Sequence, residues 1–262
     1  MKSQNNKKYY DFWYKYLWEI FYWFSYFIIE EALKSKTNNV LFSARDWLKF
    51  LNLVKIVCEY KNIKLDLKPL FISRTSLKNF LEWENNNIDK YLVKTLKEKN
   101  IIIDIWYNWT SHFFIKDIIK KLDLKSEIKS IFLLKYNKKY LKKNNIEDDK
   151  ENLIWFFNND FFEEIKCRSL KRNSWWIEVI LWDYSIWSNC WFDDLLNPMF
   201  LDEKAPIKQI NNVNFIYEWI KDYIIFALKN DIKTKDKKLL FNKLHKIFCF
   251  PSQYILTLFK DF

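Results

Sequence analysis

Glycine is missing from this chain, since none of its 262 residues is glycine. Average usage of about 7% predicts about 18 glycines at this length, and the chance of finding none is on the order of one in ten million or less. Tight turns ordinarily use glycine because positive φ is costly for a residue that carries a Cβ. Either this chain builds its turns from other residues, or another residue stands in the sequence where the organism has glycine.

Tryptophan is abundant where glycine is expected. The chain has 14 Trp residues, and several lie in turn contexts beside Asn, Ser or Asp, such as Trp47, Trp106, Trp109 and Trp187. The wealth of Lys, Asn, Ile, Phe and Tyr fits an AT-rich gene with a reassigned stop-type codon. We hypothesise an alternative genetic code in which most of these positions are glycine, and expect the four residues to be exposed or strained. The alternative is a true Trp-rich, Gly-free protein.

Histidine and cysteine are too few and too scattered for a zinc site. There are two His and four Cys residues, and no Cys-x-x-Cys pair. No signal peptide is visible, and the most apolar window, 20–29, is too short to span a bilayer. We therefore expect a cytoplasmic protein with free thiols, no assigned metal site and no transmembrane segment.

Basic residues outnumber acidic ones by 44 to 33, which gives a formal net charge of +11. This charge indicates an anionic partner such as phosphate, nucleic acid or a membrane surface. The alternative is that an AT-rich gene encodes many solvated lysines, and their spread along the chain favours it. The aromatic residues follow core periodicity and do not alternate with basic ones, so nucleic-acid binding ranks last.

The stretch 101–114 organises the fold prediction. Residues 101–105 are isoleucine except for Asp104, which predicts a buried strand of a parallel sheet. A polar loop and an amphipathic run follow, which predict a capped helix over 110–122. Strand and helix alternate four times, so we predict a Rossmann-like α/β parallel sheet flanked by helices. Its strands are 39–43, 69–72, 101–105 and 130–136.

The pattern changes after residue 143. Residues 144–152 are charged and predict a loop, and helices are predicted over 213–229 and 238–249. We therefore divide the chain into a Rossmann-like α/β domain with N-terminal helices, 1–143, and a mainly helical extension packed on it, 144–262.

Polar residues follow three predicted strands at their carboxyl ends. Because parallel strand ends share one edge, we expect them in one crevice beside the N-terminus of helix 110–122. Asp46 and Asp104 are candidate catalytic acid/base groups, or candidate ligands of a Mg²⁺ cofactor. The arginines suit a bidentate anion clamp, and the structural alternative is a set of helix caps and ion pairs. The ligand-binding candidates are Ser43, Arg45, Ser73, Arg74, Trp106, Asn108, Trp109, Thr110 and Ser111.

Three segments form a set when Trp is read as Gly. They are Leu41-Phe42-Ser43-Ala44-Arg45-Asp46-Trp47, Leu70-Phe71-Ile72-Ser73-Arg74 and Ile103-Asp104-Ile105-Trp106-Tyr107-Asn108-Trp109-Thr110. Together they resemble the C-terminal region of predicted HAD-superfamily hydrolases found among cell-surface polysaccharide genes. The similarity covers most of residues 10–136 and implies a Rossmann-like or HAD-like domain. The family's Asp-x-Asp-x-Thr nucleophile motif is absent, so the hydrolase activity does not transfer with the resemblance.

Three functions compete on these grounds. The first is binding or processing of a phosphorylated sugar or nucleotide sugar at the strand ends, in polysaccharide metabolism. The second is a non-catalytic domain that docks onto a separate HAD phosphatase or glycosyltransferase, which the missing nucleophile motif favours. The third is nucleic-acid binding, which only the net charge supports.

Overall fold

A computed structural model describes residues 18–44, 47–83, 87–104, 109–134, 151–157, 189–200, 207–233 and 236–249. At its centre is an all-parallel sheet of five strands in the order β2-β1-β3-β4-β5. The strands are β1 (Asn39–Ser43), β2 (Asp66–Leu70), β3 (Lys99–Asp104), β4 (Glu127–Leu134) and β5 (Leu153–Phe157). The predicted parallel α/β sheet of Rossmann-like type is confirmed.

Helices flank this sheet, as predicted. Those described are α1 (Trp18–Lys34), α2 (Leu48–Tyr60), α3 (Arg74–Trp83), α4 (Ile88–Thr95), α5 (Trp109–Lys121), α6 (Ile207–Lys229) and α7 (Lys237–Cys249). A separate antiparallel pair, β6 (Asn189–Phe192) and β7 (Pro198–Phe200), lies beside α3 and α4. Within the described part of the chain, no helix is both long enough and apolar enough to cross a membrane.

Strand β3 is buried on both sides, as its isoleucines predict. Ile101 and Ile103 are 0% exposed and pack in one hydrophobic cluster, whereas Ile102 packs in another. Successive side chains of a strand point to opposite faces of the sheet. We call the side of Ile101 and Ile103 face one, and the side of Ile102 face two.

Each face has its own helical layer. Helices α1, α2, α6 and α7 cover face one, where Ile220 and Leu240 from the C-terminal part join the core. Helices α3, α4 and α5 cover face two, through side chains such as Leu77 and Ile118. The C-terminal helices therefore pack on the same sheet as the N-terminal ones.

The edge strands differ from the sequence prediction. A strand was predicted over 69–72, but β2 spans Asp66–Leu70, and Pro69 lies inside it. The alternation of polar and apolar residues in this strand is typical of a sheet edge, where proline is tolerated and one face contacts solvent. Strand β5 was not predicted, because a short apolar run does not distinguish a strand from a buried helix.

Four helices end at a residue with a left-handed backbone. These residues are Lys36, Asn62, Asp123 and Asp231, with φ between 44° and 54°. After α1, for example, the N–H of Thr37 donates to the carbonyl of Ala32 at 2.9 Å, which is the six-residue closure that usually has glycine at its left-handed position. The chain therefore makes these glycine-type turns with lysine, asparagine and aspartate. Among the described residues, no position with positive φ is a tryptophan.

Trp47 contradicts the expectation that it is exposed or strained. It is 0% exposed, has φ −124°, and packs against Phe24 and Phe50 at ring-centroid distances of 5.5 and 4.7 Å. It occupies the N-cap of α2 without a side-chain cap, and its buried Nε1 has no hydrogen-bond partner. The expectation was wrong because the first turn of α2 faces the aromatic core of face one. Trp106, Trp187 and the side chain of Trp109 lie outside the described residues.

Candidate functional site

The carboxyl ends of β1 and β3 lie side by side at the middle of the sheet. The two strands pair in register up to Phe42 and Ile103. The helix that follows β1 packs on face one, and the helix that follows β3 packs on face two. Chain connections therefore leave in opposite directions at this point, and open α/β sheets bind ligands in the crevice that such a reversal creates.

Ser43 and Asp104 are the two candidate residues that end these strands. Alternation along each strand places both on face two, because Leu41 and Ile102 lie on that face two residues earlier. Both side chains are half-buried, and neighbouring strands are about 4.8 Å apart. The structure therefore brings one hydroxyl and one carboxylate together on the same side of the switch point.

Two helix N-termini lie on that same side. Helices α3 and α5 both cover face two, pack against each other, and begin at the carboxyl edge of the sheet. Ser111 lies in the first turn of α5 and is half-buried. Free N–H groups and the helix dipole make such N-termini favourable for anions.

Ser73 has a structural role as the cap of α3. The backbone N–H of Ser76 donates to Oγ of Ser73 at 3.0 Å, and the N–H of Ser73 donates to Oγ of Ser76 at 2.9 Å. This reciprocal pair is a capping box with serine in place of the usual glutamate. Because Ser76 is fully buried, the box fixes the position at which α3 starts. The alternative that some candidates are helix caps thus holds for Ser73.

Tyr91 fixes the loop that leads to α3. Its hydroxyl oxygen accepts a hydrogen bond from the backbone N–H of Phe71 at 2.9 Å, and its ring stacks on Phe192 at 4.1 Å. Burial raises the pKa of Tyr91 above its ordinary value, although the hydrogen bonds with the N–H of Phe71 and with the side chain of Thr95 oppose the shift. The tyrosine therefore stays neutral and holds the loop beside the crevice.

The remaining candidates cannot be placed beside these residues. Arg45, Asp46, Trp106 and Asn108 lie outside the described residues. The backbones of Arg74, Trp109 and Thr110 begin helices α3 and α5, but their side chains also lie outside that part of the chain. The expectation that both arginines and both acids share one crevice stays a prediction.

A buried histidine anchors α5 beneath the site. Nδ1 of His112 lies 2.7 Å from Oγ of Ser130 on β4, and the two residues are 3% and 1% exposed. Ser130 pairs with Ile102, two residues before Asp104 and therefore about 7 Å deeper along the strand. No sequence motif assigned a role to this pair. A histidine among the aromatic residues of an amphipathic run was the available signal.

Lys49 is a second residue to which no sequence motif assigned a role. It lies in the first turn of α2, is 9% exposed, and donates from Nζ to Oδ1 of Asn214 on α6 at 2.7 Å. Its ammonium also lies 5.9 Å from the ring centroid of Tyr217, a distance within the range of a cation–π contact. A lysine between Leu48 and Phe50, on the apolar side of a helix, was its signal. It places one positive charge near the carboxyl edge, on face one.

Metal ligands are sparse in this region. Among the described residues, no group of three or more His, Cys, Asp or Glu side chains is placed to hold a metal ion. Asp104 is therefore a single carboxylate beside two helix N-termini, an arrangement that suits a metal only when a ligand supplies further oxygens. In comparisons with known proteins, no family model and no curated protein matches the chain.

Proposed function

We propose that the chain binds a phosphorylated small molecule at the carboxyl edge of its sheet, and that the ligand is a sugar phosphate or a nucleotide sugar. The observation that carries the proposal is the switch point between the parallel strands β1 and β3, where the connections leave in opposite directions and Ser43 and Asp104 lie at the two strand ends. Ligands of doubly wound sheets occupy this position.

The local charges favour a phosphate together with a divalent cation. The N-termini of α3 and α5 each carry about half a positive charge, whereas Asp104 carries a negative one. A phosphate placed directly against the carboxylate is repelled, but Mg²⁺ can bridge the two, since it usually binds one or two carboxylates together with substrate phosphates. Asp104 is thus the proposed metal contact, and the helix N-termini are the proposed phosphate contacts.

We propose a sugar phosphate or a nucleotide sugar as the ligand because the three segments around Ser43, Arg74 and Asp104 resemble the polysaccharide-associated family. The chain lacks that family's Asp-x-Asp-x-Thr motif, so the proposal covers ligand binding or processing without the aspartyl nucleophile of that family. Arg74, at the start of α3, is the proposed clamp on the phosphate, because guanidinium binds phosphate oxygens bidentately.

Isothermal titration tests the proposal with glucose 1-phosphate and UDP-glucose, each with and without Mg²⁺. Asp104→Asn and Arg74→Ala are each expected to weaken binding at least tenfold, a typical cost of losing a hydrogen bond to a charged group. Asp117→Asn is the matched control, because Asp117 is exposed on α5 well beyond its first turn. The same titrations are repeated with the Trp106→Gly/Trp109→Gly variant, because these two positions are glycine if the hypothesis of an alternative genetic code is correct.

Binding that is equal in the wild type, Asp104→Asn and Arg74→Ala refutes the proposed site. It would show that these residues are caps and ion pairs of the fold, as Ser73 is. A loss confined to the titrations with Mg²⁺ in Asp104→Asn is the specific signature of the metal-bridged arrangement.

A further inference from the structure

A cavity of about 530 Å³ opens at the amino edge of the sheet, the edge opposite to the candidate site. It lies between the first residues of β3 and β4, the carboxyl end of α5 and the turn that follows α1. Its volume falls within the range of small-molecule sites. We call it the amino-edge cavity.

Lysines dominate the lining of the amino-edge cavity. Lys99, Lys116, Lys120 and Lys129 line it, together with the carboxylate of Glu127, so the formal charge of the described lining is +3. The carboxyl ends of α1 and α5 lie here too, and each contributes about half a negative charge, which leaves roughly +2. Within the part of the chain that the structure describes, Lys99, Lys120 and Lys129 form no ion pair.

The floor of the cavity is held rigidly by Asn100, which is 2% exposed. Its Oδ1 accepts from Nδ2 of Asn39 at 2.7 Å and from the N–H of Lys97 at 2.8 Å. Its Nδ2 donates to the carbonyls of Lys97 and Glu127 at 2.7 and 3.0 Å. This amide therefore ties the first residues of β1, β3 and β4 together. A site whose backbone is already fixed loses little freedom when a ligand binds.

The walls combine charge with a small apolar surface. Ile119 and Ile128 line the cavity beside the lysines, and so do Ser35, Thr37 and Ser126. A carbon skeleton can cover the isoleucines while an anionic group meets the ammonium groups. A phosphate monoester carries about −1.5 to −2 at neutral pH, which matches the charge of the lining.

We propose that the amino-edge cavity binds a small organic phosphate or a diphosphate, whose negative charge the lysines of the lining offset. The inference is independent of the proposed function, because the two sites lie at opposite edges of the sheet. The concave shape of the cavity favours a compact anion over the backbone of a nucleic acid, which follows an extended basic groove with stacked aromatic rings.

Titration with inorganic pyrophosphate tests the amino-edge cavity. The variant is Lys99→Gln/Lys120→Gln, and the control is Lys55→Gln/Lys94→Gln, which removes the same charge from exposed positions outside the lining. The first variant is expected to bind pyrophosphate at least tenfold more weakly, because each lysine loses a charge-assisted contact. The control is expected to bind within twofold of the wild type.

Three results overturn the inference. Unchanged affinity in Lys99→Gln/Lys120→Gln shows that the cavity is not the binding site. Equal weakening in the control shows a response to overall charge alone. Tighter binding of a 12-nucleotide single-stranded RNA than of pyrophosphate, with the same loss in the variant, assigns the surface to nucleic acid.

Discussion

Replacing Lys36 with glycine is expected to stabilise the protein by about 0.5–1 kcal/mol. Lys36 ends α1 with φ 51°, and a residue with a Cβ in that left-handed conformation costs roughly 1–2 kcal/mol. Glycine removes this strain but gains freedom in the unfolded chain, which offsets about 0.4–1 kcal/mol. Lys36 is exposed, so its truncation removes no buried contact.

Urea denaturation measures the effect as a shift of the midpoint at constant slope, since the slope reports only the surface exposed on unfolding. In a thermal scan, 1 kcal/mol corresponds to about 2–4 °C in the melting temperature for a chain of roughly this size. Lys36→Ala keeps the Cβ and is expected to match the wild type. Asn62→Gly, at φ 54° in the equivalent turn of α2, is expected to change stability by less than about 0.5 kcal/mol, because asparagine tolerates this conformation.

The result that refutes this reasoning is a Lys36→Gly protein no more stable than Lys36→Ala. In that case the left-handed turn stores no strain, and the absence of glycine has no energetic consequence at the helix ends. A gain in Asn62→Gly equal to that in Lys36→Gly would show instead that side-chain identity does not matter at these turns.

Three further outcomes are expected. Ser130→Ala should lower the free energy of unfolding by about 1–3 kcal/mol, because buried His112 loses its hydroxyl partner. A double-mutant cycle with His112→Ala should then give a coupling energy of at least about 0.5 kcal/mol. Purely additive effects of the two substitutions would contradict the contact. Burial raises the pKa of Asp66, but hydrogen bonds from two lysines outweigh it and hold the pKa below 3.8. A carboxylate whose pKa is lowered in the folded state stabilises the protein above its unfolded-state pKa, and this stabilisation is lost as the pH falls through the folded-state pKa. The wild type should therefore be more stable than Asp66→Asn by about 1 kcal/mol at pH 7, and the difference should vanish in acid. A difference in stability that persists at pH 2 argues against this. Finally, the hypothesis of recoded glycine predicts the residue mass of glycine at position 106 when the protein from its own organism is studied by mass spectrometry, and a peptide with the indole mass of Trp106 ends it.

The centre of the fold was predictable because its signals are local and strong. A run of isoleucine at 101–103 has no stable place outside a buried strand, and the helix predicted over 110–122 matches α5 to within one residue at both ends. The parallel arrangement followed from the alternation of strands and helices alone. These features need no knowledge of distant contacts, so one sequence is sufficient for them.

The edges were less predictable because tertiary contacts decide them. β2 contains Asp66 and Pro69, which disfavour strands in isolation, yet pairing with β1 over five residues imposes the extended conformation. β5 pairs with β4, but residues 135–150 separate the two strands in the sequence. No local sequence pattern therefore predicts this pairing. Trp47 was misjudged for the same reason, since burial at a helix start depends on the aromatic residues of α1 that meet it.

The candidate site shows a similar division. The shared strand edge of Ser43 and Asp104 follows from topology, and the sequence predicted it. Their shared face depends on register, which only the clusters around Leu41 and Ile102 reveal. Lys49 and its contact with Asn214 join segments 165 residues apart, and no sequence pattern links residues at that separation.

The two faces of the sheet are covered by residues that differ in how far apart they lie in the sequence. Among the described residues, the buried core of face two comes from residues 41–128 and from Phe192, whereas that of face one combines residues 18–157 with residues 216–241. Contacts between distant segments form more slowly, because a long loop must close before they are made. A chain that is still being synthesised can therefore complete face two before it contains α6 and α7, which cover part of face one. In the finished protein, α6 and α7 are expected to release first, with faster amide hydrogen exchange than α5 or β3.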